Sequence, residues 1–160
     1  GAEKVIMVDP AFDRLKKFAN QFEDIILIDP NTENTVARIK DITKNYGAEV
    51  IITACPAKQA QVEAFSIASP CSRISFFGGL PKDDSMITID SNLIHYQEIS
   101  VFGAFASNRK DYQKAVDLIS SRKIDPSKFI TEVIPLEDIE KGIRLVKNGS
   151  VLKVVVKIQE

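Results

Sequence analysis

The chain is poor in the residues that most often bind metals or form disulfides. Its 160 residues include two cysteines, Cys55 and Cys71, and one histidine, His95. Two cysteines do not make a disulfide framework. Each lies in or beside an apolar run, so we expect both to be buried free thiols. One imidazole and two distant cysteines do not make a zinc site, and no metal site is expected within this chain.

The sequence also lacks a strong charge bias and a long apolar run. Its formal net charge is −1, which gives none of the basic excess that favours nucleic acid or anionic membranes. No apolar run reaches the length that spans a bilayer, and the N-terminal residues carry no signal-peptide pattern. We therefore expect a cytoplasmic protein that binds neither nucleic acid nor membrane.

Apolar runs of strand length alternate with segments whose apolar residues recur every three or four positions, which is the spacing of one helix face. The longest of the apolar runs predict strands at residues 4–8, 24–28, 49–54, 72–77 and 98–105. They are apolar nearly throughout, which indicates burial on both faces and hence a parallel sheet covered by helices. Short strand and helix signals occupy residues 86–90 and 91–97.

The last third of the chain has a different pattern. Ser107 is placed to cap a helix, and a short strand follows at residues 129–135. A helix then ends at Gly149, and residues 151–158 form a final strand. This order predicts an α+β segment rather than another turn of the same winding.

Asp9 ends the first predicted strand and is followed by Pro10. In dinucleotide-binding folds, an acid at the end of the second strand accepts hydrogen bonds from the adenosine ribose, and its charge disfavours the extra phosphate of NADP. A helix cap or a turn explains the same aspartate from the local sequence alone. Asp29 has the same context, and only one of the two can be the ribose ligand.

Three glycines follow or interrupt predicted strands. Gly78 and Gly79 come directly after the fourth strand, where glycine allows a ligand to approach the backbone closely. A simple turn is the competing interpretation. Gly103 lies in or just after the fifth strand, where glycine costs stability unless something packs against it.

The motifs that would identify a whole enzyme are missing. The sequence contains no G-x-G-x-x-G loop, Walker loop or G-x-S-x-G elbow. The strand at residues 4–8, with its terminal acid, normally comes second in a dinucleotide-binding fold. The chain starts at Gly1 rather than at Met, so we expect a cut or a tag scar. The sequence is interpreted as the later part of a cofactor-binding enzyme.

Six segments resemble the medium-chain zinc-type alcohol dehydrogenases in their order and spacing. The resemblance is greatest to the branch of sorbitol, threonine and related polyol dehydrogenases. The six segments are residues 1–10, 46–56, 72–82, 98–107, 133–149 and 151–158. The resemblance implies a Rossmann-like parallel sheet with helices on both faces, lacking its first βα unit, at residues 1–106. Residues 107–160 would then be a connecting helix and a C-terminal segment that returns to the catalytic domain.

The resemblance also implies which residues contact the cofactor. Asp9 would bind the adenosine ribose and favour NAD over NADP, with Arg14 near the adenine end. Lys153 falls where many members carry an arginine near the pyrophosphate; lysine keeps the charge but loses the bidentate fork. The cleft and the nicotinamide end would be formed by Ala54, Cys55, Pro56, Gly78, Gly79, Leu80, Phe102 and Gly103.

The family's zinc ligands lie in an N-terminal part that this sequence does not contain. In family members the zinc polarises the alcohol oxygen, and hydride then passes to NAD. We therefore expect the cofactor-binding part of a zinc-type NAD-dependent alcohol or polyol dehydrogenase, inactive in isolation. A non-catalytic nucleotide-binding or assembly module is the alternative. A flavodoxin-like or response-regulator module fits the alternation but not the tail.

Two expectations about strand edges follow from the resemblance. Without the first strand, the strands at residues 4–8 and 49–54 each lose a partner and leave an open edge, which residues 151–158 are apolar enough to fill. The family also dimerises through the strand that corresponds to the fifth one, so a homodimer is expected, with self-pairing near Ile99 to Phe102.

Overall fold

A computed structural model describes residues 1–158. The strands are β1 (Val5–Val8), β2 (Ile25–Ile28), β3 (Ala48–Thr53), β4 (Ala68–Phe76), β5 (Ser100–Gly103), β6 (Glu132–Pro135) and β7 (Val154–Lys157). The helices are α1 (Phe12–Ala19), α2 (Thr35–Ile42), α3 (Lys58–Ser66), α4 (Ser91–Gln97), α5 (Arg109–Ser120) and α6 (Ile139–Lys147). Short 3₁₀ turns cover Pro126–Phe129 and Leu136–Asp138.

Every strand pairing that the structure describes is parallel. Parallel neighbours need a crossover, and a helix stands between each pair of successive described strands. The predicted α/β class with a parallel sheet is therefore confirmed. The chain divides into two compact units, one of Asn34–Ser107 and one of Gly1–Glu33 together with the chain from Asn108 onward.

The first unit, which contains the N-terminal residues, holds two strand pairs. β1 pairs with β2 in register from Val5 opposite Ile25 to Val8 opposite Ile28. β6 pairs with β7, and α6 packs so closely on this pair that a Cβ on Gly142 would lie 2.6 Å from Ile134 Cδ1. Glycine at position 142 therefore sets how near α6 approaches the two strands.

The second unit holds the three-stranded order β3-β4-β5. Its core includes Ile74, which is fully buried, and Phe65, whose ring meets Phe76 edge-on. The β3–β4 register shifts near the start of both strands. Cys71 lies in the irregular part of β4 with a positive φ of 57°, and its side chain is exposed there. The expectation that both cysteines are buried is wrong, because Cys55 is also exposed, in the loop after β3.

Several predicted boundaries were wrong. Residues 86–90 form no strand. The predicted strand at residues 98–105 shortens to β5, because Glu98 adopts a left-handed conformation as the C-cap of α4. Helix α5 is capped by Asn108 rather than Ser107. The Asn108 side chain accepts hydrogen bonds from Lys110 N and Asp111 N and forms a reciprocal capping box with Asp111, a stronger arrangement than a lone serine gives.

The hypothesis that residues 151–158 fill an open edge is wrong, because β7 pairs with β6. Among residues 1–158, β1 pairs only with β2, and β3 only with β4. Each of these two strands therefore keeps one unpaired edge, as expected, and Ile52 of β3 is 63% exposed. Of the helices that the structure describes, none has the length and apolar character needed to cross a bilayer.

Candidate functional site

The carboxylate of Asp9 is held in place at the carboxyl end of β1. Its Oδ1 accepts a hydrogen bond from Ala11 N at 2.8 Å, and its Oδ2 accepts one from Arg14 Nη2 at 2.8 Å. The two side chains are 29% and 31% exposed. Each carboxylate oxygen can accept more than one hydrogen bond, so Asp9 retains acceptor capacity for a hydroxyl group that approaches from solvent.

The competing interpretation of Asp9 as a turn residue describes part of its role. The N-cap of α1 is Ala11, which makes no side-chain cap, so Asp9 is not the cap itself. Its bond to Ala11 N closes an Asx turn between β1 and α1. The turn and the ion pair with Arg14 fix the same carboxylate, which is compatible with a binding role.

Asp29, at the end of β2, has different partners. Its Oδ1 accepts from Asn31 N and from Asn31 Nδ2, both at 2.9 Å. Asn31 Nδ2 also donates to Pro10 O at 2.9 Å, which joins the turn after β2 to the turn after β1. Asp29 therefore organises two turns, whereas Asp9 is paired with a guanidinium.

A shallow cleft of about 260 Å³ lies beside Arg14. Lys17 contributes a second cation to its wall, and Gly149 and Ser150 close it from the turn after α6. Gly149 has a φ of +70°, and a Cβ placed there would lie 3.8 Å from Arg14 Nη1. Sequence reasoning missed Lys17 and this turn, because no local pattern links the end of α6 to α1.

In the second unit, Gly78 lies where β3 and β4 end. Its N–H donates to Thr53 O at 2.7 Å. A Cβ on Gly78 would lie 2.7 Å from both the N and the O of Cys55, closer than real Cβ contacts allow. A Cβ on Gly79 would meet nothing within 4 Å. Gly78 is therefore required by packing, and Gly79 borders open space.

β5 brings two further predicted residues to this edge. Phe102 lies opposite Ser75 and Gly103 opposite Phe76 in the β4–β5 ladder. Ala104 N donates to Phe76 O at 3.2 Å. The Phe102 side chain is 53% exposed. The structure thus brings the ends of β4 and β5 together at the strand edge where ligands bind in parallel sheets.

The remaining predicted residues are placed as follows. Ala54, Cys55 and Pro56 are exposed in the loop after β3, and Leu80 is half-buried. Lys153 has an exposed side chain, and its carbonyl accepts a hydrogen bond from Thr131 N at 3.0 Å just before β7. Its backbone therefore secures the start of the β6–β7 pair.

Gln61 of α3 is a site residue that sequence reasoning missed. It is 5% exposed, and its Nε2 donates to Gly78 O at 3.1 Å. Nearby on α3, Lys58 forms an ion pair with Asp84 in the loop after β4. A glutamine inside a helical pattern is ordinarily assigned to the solvent face, so the sequence offered no signal for this role.

The thiol of Cys71 belongs to another part of the second unit. Its Sγ donates to Glu98 Oε2 at 3.4 Å, and this hydrogen bond, with the charge of Glu98, raises the pKa of Cys71. Within residues 1–158, no group of three or more His, Cys, Asp or Glu side chains is placed to hold a metal ion. The residues present do not fit a zinc site.

Comparison with known sequences gives a consistent result. The family described as zinc-binding dehydrogenase matches residues 1–121. An uncharacterized zinc-type alcohol dehydrogenase-like protein from Haemophilus influenzae is 31% identical over 138 residues, covering 86% of this chain and 39% of that protein. D-xylulose reductase A from Aspergillus oryzae is 28% identical over 160 residues, covering 98% of this chain and 44% of that protein.

Solved structures agree on the fold. Benzyl alcohol dehydrogenase from Acinetobacter calcoaceticus superposes with a TM-score of 0.88 at 22% identity, covering 99% of this chain and 44% of that one. A zinc-binding dehydrogenase from Sinorhizobium meliloti, solved bound to NADP, superposes with a TM-score of 0.84 at 22% identity, covering 99% of this chain and 46% of that one. The Rossmann-like fold, with helices on both faces of a parallel sheet, is thereby confirmed.

The chain spans less than half the length of the relatives that it matches. The matched region is their C-terminal, cofactor-binding part. The ordered segments, the parallel strand pairs and the family match all lead to one assignment, and the chain belongs to the zinc-binding dehydrogenase family.

Proposed function

We propose that this chain forms the NAD-binding part of a zinc-type alcohol or polyol dehydrogenase, with residues 1–106 as the cofactor domain and residues 107–160 as the connection to a catalytic domain. The observation that supports this most strongly is the Asp9–Arg14 pair at the carboxyl end of a parallel strand. Bound NAD supplies the chemistry by accepting a hydride from the alcohol carbon. The residues of this chain bind and orient it.

At the adenosine end, Asp9 accepts hydrogen bonds from the ribose hydroxyls. Arg14 keeps the carboxylate in one rotamer, so less conformational freedom is lost when the ribose binds. The negative charge of Asp9 repels a 2′-phosphate, which favours NAD over NADP. Lys153 contributes positive charge toward the pyrophosphate.

At the nicotinamide end, binding depends on the backbone. Ala54, Cys55 and Pro56 form one wall of the cleft, and Gly78, Gly79 and Leu80 form another. Phe102 and Gly103 contact the same end through the strand edge. These residues orient the ring and exclude water from one side of it, while none supplies an acid or a base.

Catalysis requires a zinc site that residues 1–158 do not provide. The chain in isolation therefore binds the cofactor but turns over no alcohol. Among the described residues, β5 pairs only with β4, and its other edge pairs with its copy in a homodimer through residues Ile99 to Phe102. A cytoplasmic location is part of the same proposal.

One observation favours the second candidate function, a non-catalytic assembly module. β1 and β3 each keep an unpaired edge within the described residues, and such edges favour pairing with another strand. This module would associate with other chains without selective dinucleotide binding, so ligand binding separates the two candidates.

The two exposed cysteines provide the test. Cys55 belongs to the proposed nicotinamide end of the site, in the loop after β3. Cys71 lies near the opposite end of the β3–β4 ladder. Saturating NAD is expected to slow iodoacetamide alkylation of Cys55 at least fivefold, as measured by peptide mass spectrometry, and to leave Cys71 unchanged. Equal rates with and without millimolar NAD at both thiols would contradict the proposal and favour the assembly module.

A further inference from the structure

Gln61 makes its side-chain hydrogen bond to a residue outside its own helix. Its side chain is almost fully buried, and its amide Nε2 donates to the carbonyl of Gly78. Gln59, two positions earlier, is exposed, and its Nε2 bonds to Glu63 Oε1 on the same helix at 2.8 Å. The two glutamines of α3 therefore have different partners. Gln59 forms a hydrogen bond along the exposed surface of the helix, whereas Gln61 bonds to the chain at the end of β4.

The bond from Gln61 completes a set of restraints on Gly78. The N–H of Gly78 donates to Thr53 O, and its Cα faces the backbone of Cys55 so closely that no side chain fits. Gln61 fixes the remaining polar group, the carbonyl. The nitrogen, Cα and carbonyl of this glycine are therefore each held by a different residue.

Fixing that carbonyl also fixes the amide group of Gly79. The C=O of Gly78 and the N–H of Gly79 belong to one planar trans peptide, so they point in opposite directions. Because the carbonyl points toward Gln61 on α3, the N–H of Gly79 points away from α3. Gly79 is exposed, and a Cβ on it would meet nothing within 4 Å, so its surroundings leave room for an acceptor.

The ion pair between Lys58 and Asp84 restrains the chain beyond this peptide. Lys58 is in the first turn of α3, and Asp84 lies in the loop after Gly79. Asp84 N also donates to Pro81 O at 3.1 Å. Helix α3 therefore secures both the peptide itself and the loop that follows it.

We infer that Gln61 is a positioning residue that aims the N–H of Gly79 at an oxygen of the nicotinamide half of the dinucleotide. The acceptor is either the carboxamide oxygen or a hydroxyl of the adjoining ribose. This inference rests on the proposed function, because it assigns a role within the same cofactor site. Gln61 itself does not touch the cofactor.

The test compares three ligands that share the adenosine diphosphate group. NADH carries the ribose and the nicotinamide, ADP-ribose carries only the ribose, and ADP carries neither. Gln61→Met keeps the side-chain volume but removes the donor. Gln59→Met is the matched control on the same helix. Each ligand is titrated calorimetrically into the wild-type chain and into both variants.

Gln61→Met is expected to weaken NADH binding about fivefold to tenfold and to leave ADP binding within twofold, whereas Gln59→Met changes neither. If Gln61→Met weakens ADP-ribose binding as much as NADH binding, the acceptor lies on the ribose. If ADP-ribose binding is unchanged in this variant, the acceptor is the carboxamide oxygen. Equal weakening of all three ligands, or unchanged NADH binding, would overturn the inference.

A second measurement does not depend on a ligand. Gln61→Met is expected to raise hydrogen exchange at the Gly78 amide severalfold in NMR spectra, because the glycine loses one of its restraints, while Gln59→Met leaves it unchanged. Unchanged exchange in Gln61→Met would overturn the positioning role. If the wild-type chain binds no NADH, the proposed function fails, and the exchange measurement still decides whether Gln61 restrains Gly78.

Discussion

The two ends of the proposed cofactor site are built by different means. In the first unit, the group of residues proposed for adenosine, here the charged end, is charged: it includes the Asp9 carboxylate and the Arg14 guanidinium, with the Lys17 ammonium lining the same cleft. In the second unit, the group proposed for nicotinamide, here the packed end, consists of backbone groups around Gly78 that are held by buried packing. A charged end is tuned by single side-chain changes, whereas a packed backbone end is lost when its geometry changes.

The largest effect is expected at the packed end. Gly78→Ala places a Cβ 2.7 Å from the Cys55 backbone, so one of the two loops must move. Overpacking of this kind is expected to lower the free energy of unfolding by about 2 kcal/mol and to abolish NADH binding. Urea denaturation measures the first effect, and calorimetry measures the second.

Gly79→Ala is the matched control for stability. Its Cβ would meet nothing within 4 Å, and Gly79 is not among the glycines with positive φ. The substitution is therefore expected to leave the free energy of unfolding unchanged or to raise it by up to about 1 kcal/mol. Similar destabilisation by the two substitutions would show that the contact with Cys55 does not define this end.

The charged end is expected to respond through selectivity instead. Asp9→Ala removes the repulsion of a 2′-phosphate and releases Arg14 from its ion pair. NADP affinity should therefore rise severalfold, with Arg14 and Lys17 lining the same cleft. The free energy of unfolding should fall by about 1 kcal/mol at most, because the pair is partly exposed.

The double variant Asp9→Ala with Arg14→Gln tests the origin of that gain. If the released guanidinium binds the phosphate, the double variant loses the NADP gain in calorimetric titrations. An undiminished gain would show that removing the carboxylate is sufficient and that Arg14 plays no part.

The smallest effect concerns Cys71. Glu98 raises the pKa of this thiol, mainly by accepting its hydrogen bond, so less thiolate is present at pH 8. Glu98→Gln is expected to lower the pKa and to speed alkylation about twofold to threefold. The difference should vanish above the raised pKa, where both proteins carry the thiolate. A rate that does not differ at pH 8 would contradict the role of Glu98, and Glu63→Gln serves as the control.

The sequence predicts the fold well because its strands are apolar runs separated by helical spacing. Its predictions fail where a single residue changes the backbone direction. Glu98 ends α4 in a left-handed conformation and shortens β5. Cys71 takes a positive φ in the irregular part of β4, which leaves its thiol exposed instead of buried. Apolar periodicity contains no signal for either turn.

The candidate site divides in the same way. Asp9 was predictable because a terminal acid on a strand is a local pattern, and Gly78 was predictable because glycine follows a strand. The partners of these residues were not predictable. Gln61 reaches Gly78 across 17 positions, and Gly149 approaches Arg14 from the far end of the chain. Such contacts depend on tertiary packing, which one sequence does not reveal.

The most direct test of the central claim is a calorimetric titration of NAD into the wild-type chain, Asp9→Ala and Asp29→Ala. Both aspartates end a strand and precede a proline, but only Asp9 is assigned to the ribose. We expect the wild-type chain to bind NAD and Asp9→Ala to weaken this binding about tenfold, corresponding to about 1.4 kcal/mol. The affinity of Asp29→Ala for NAD should stay within twofold of that of the wild-type chain. Absence of binding to the wild-type chain at millimolar NAD, or equal weakening by both substitutions, would contradict it.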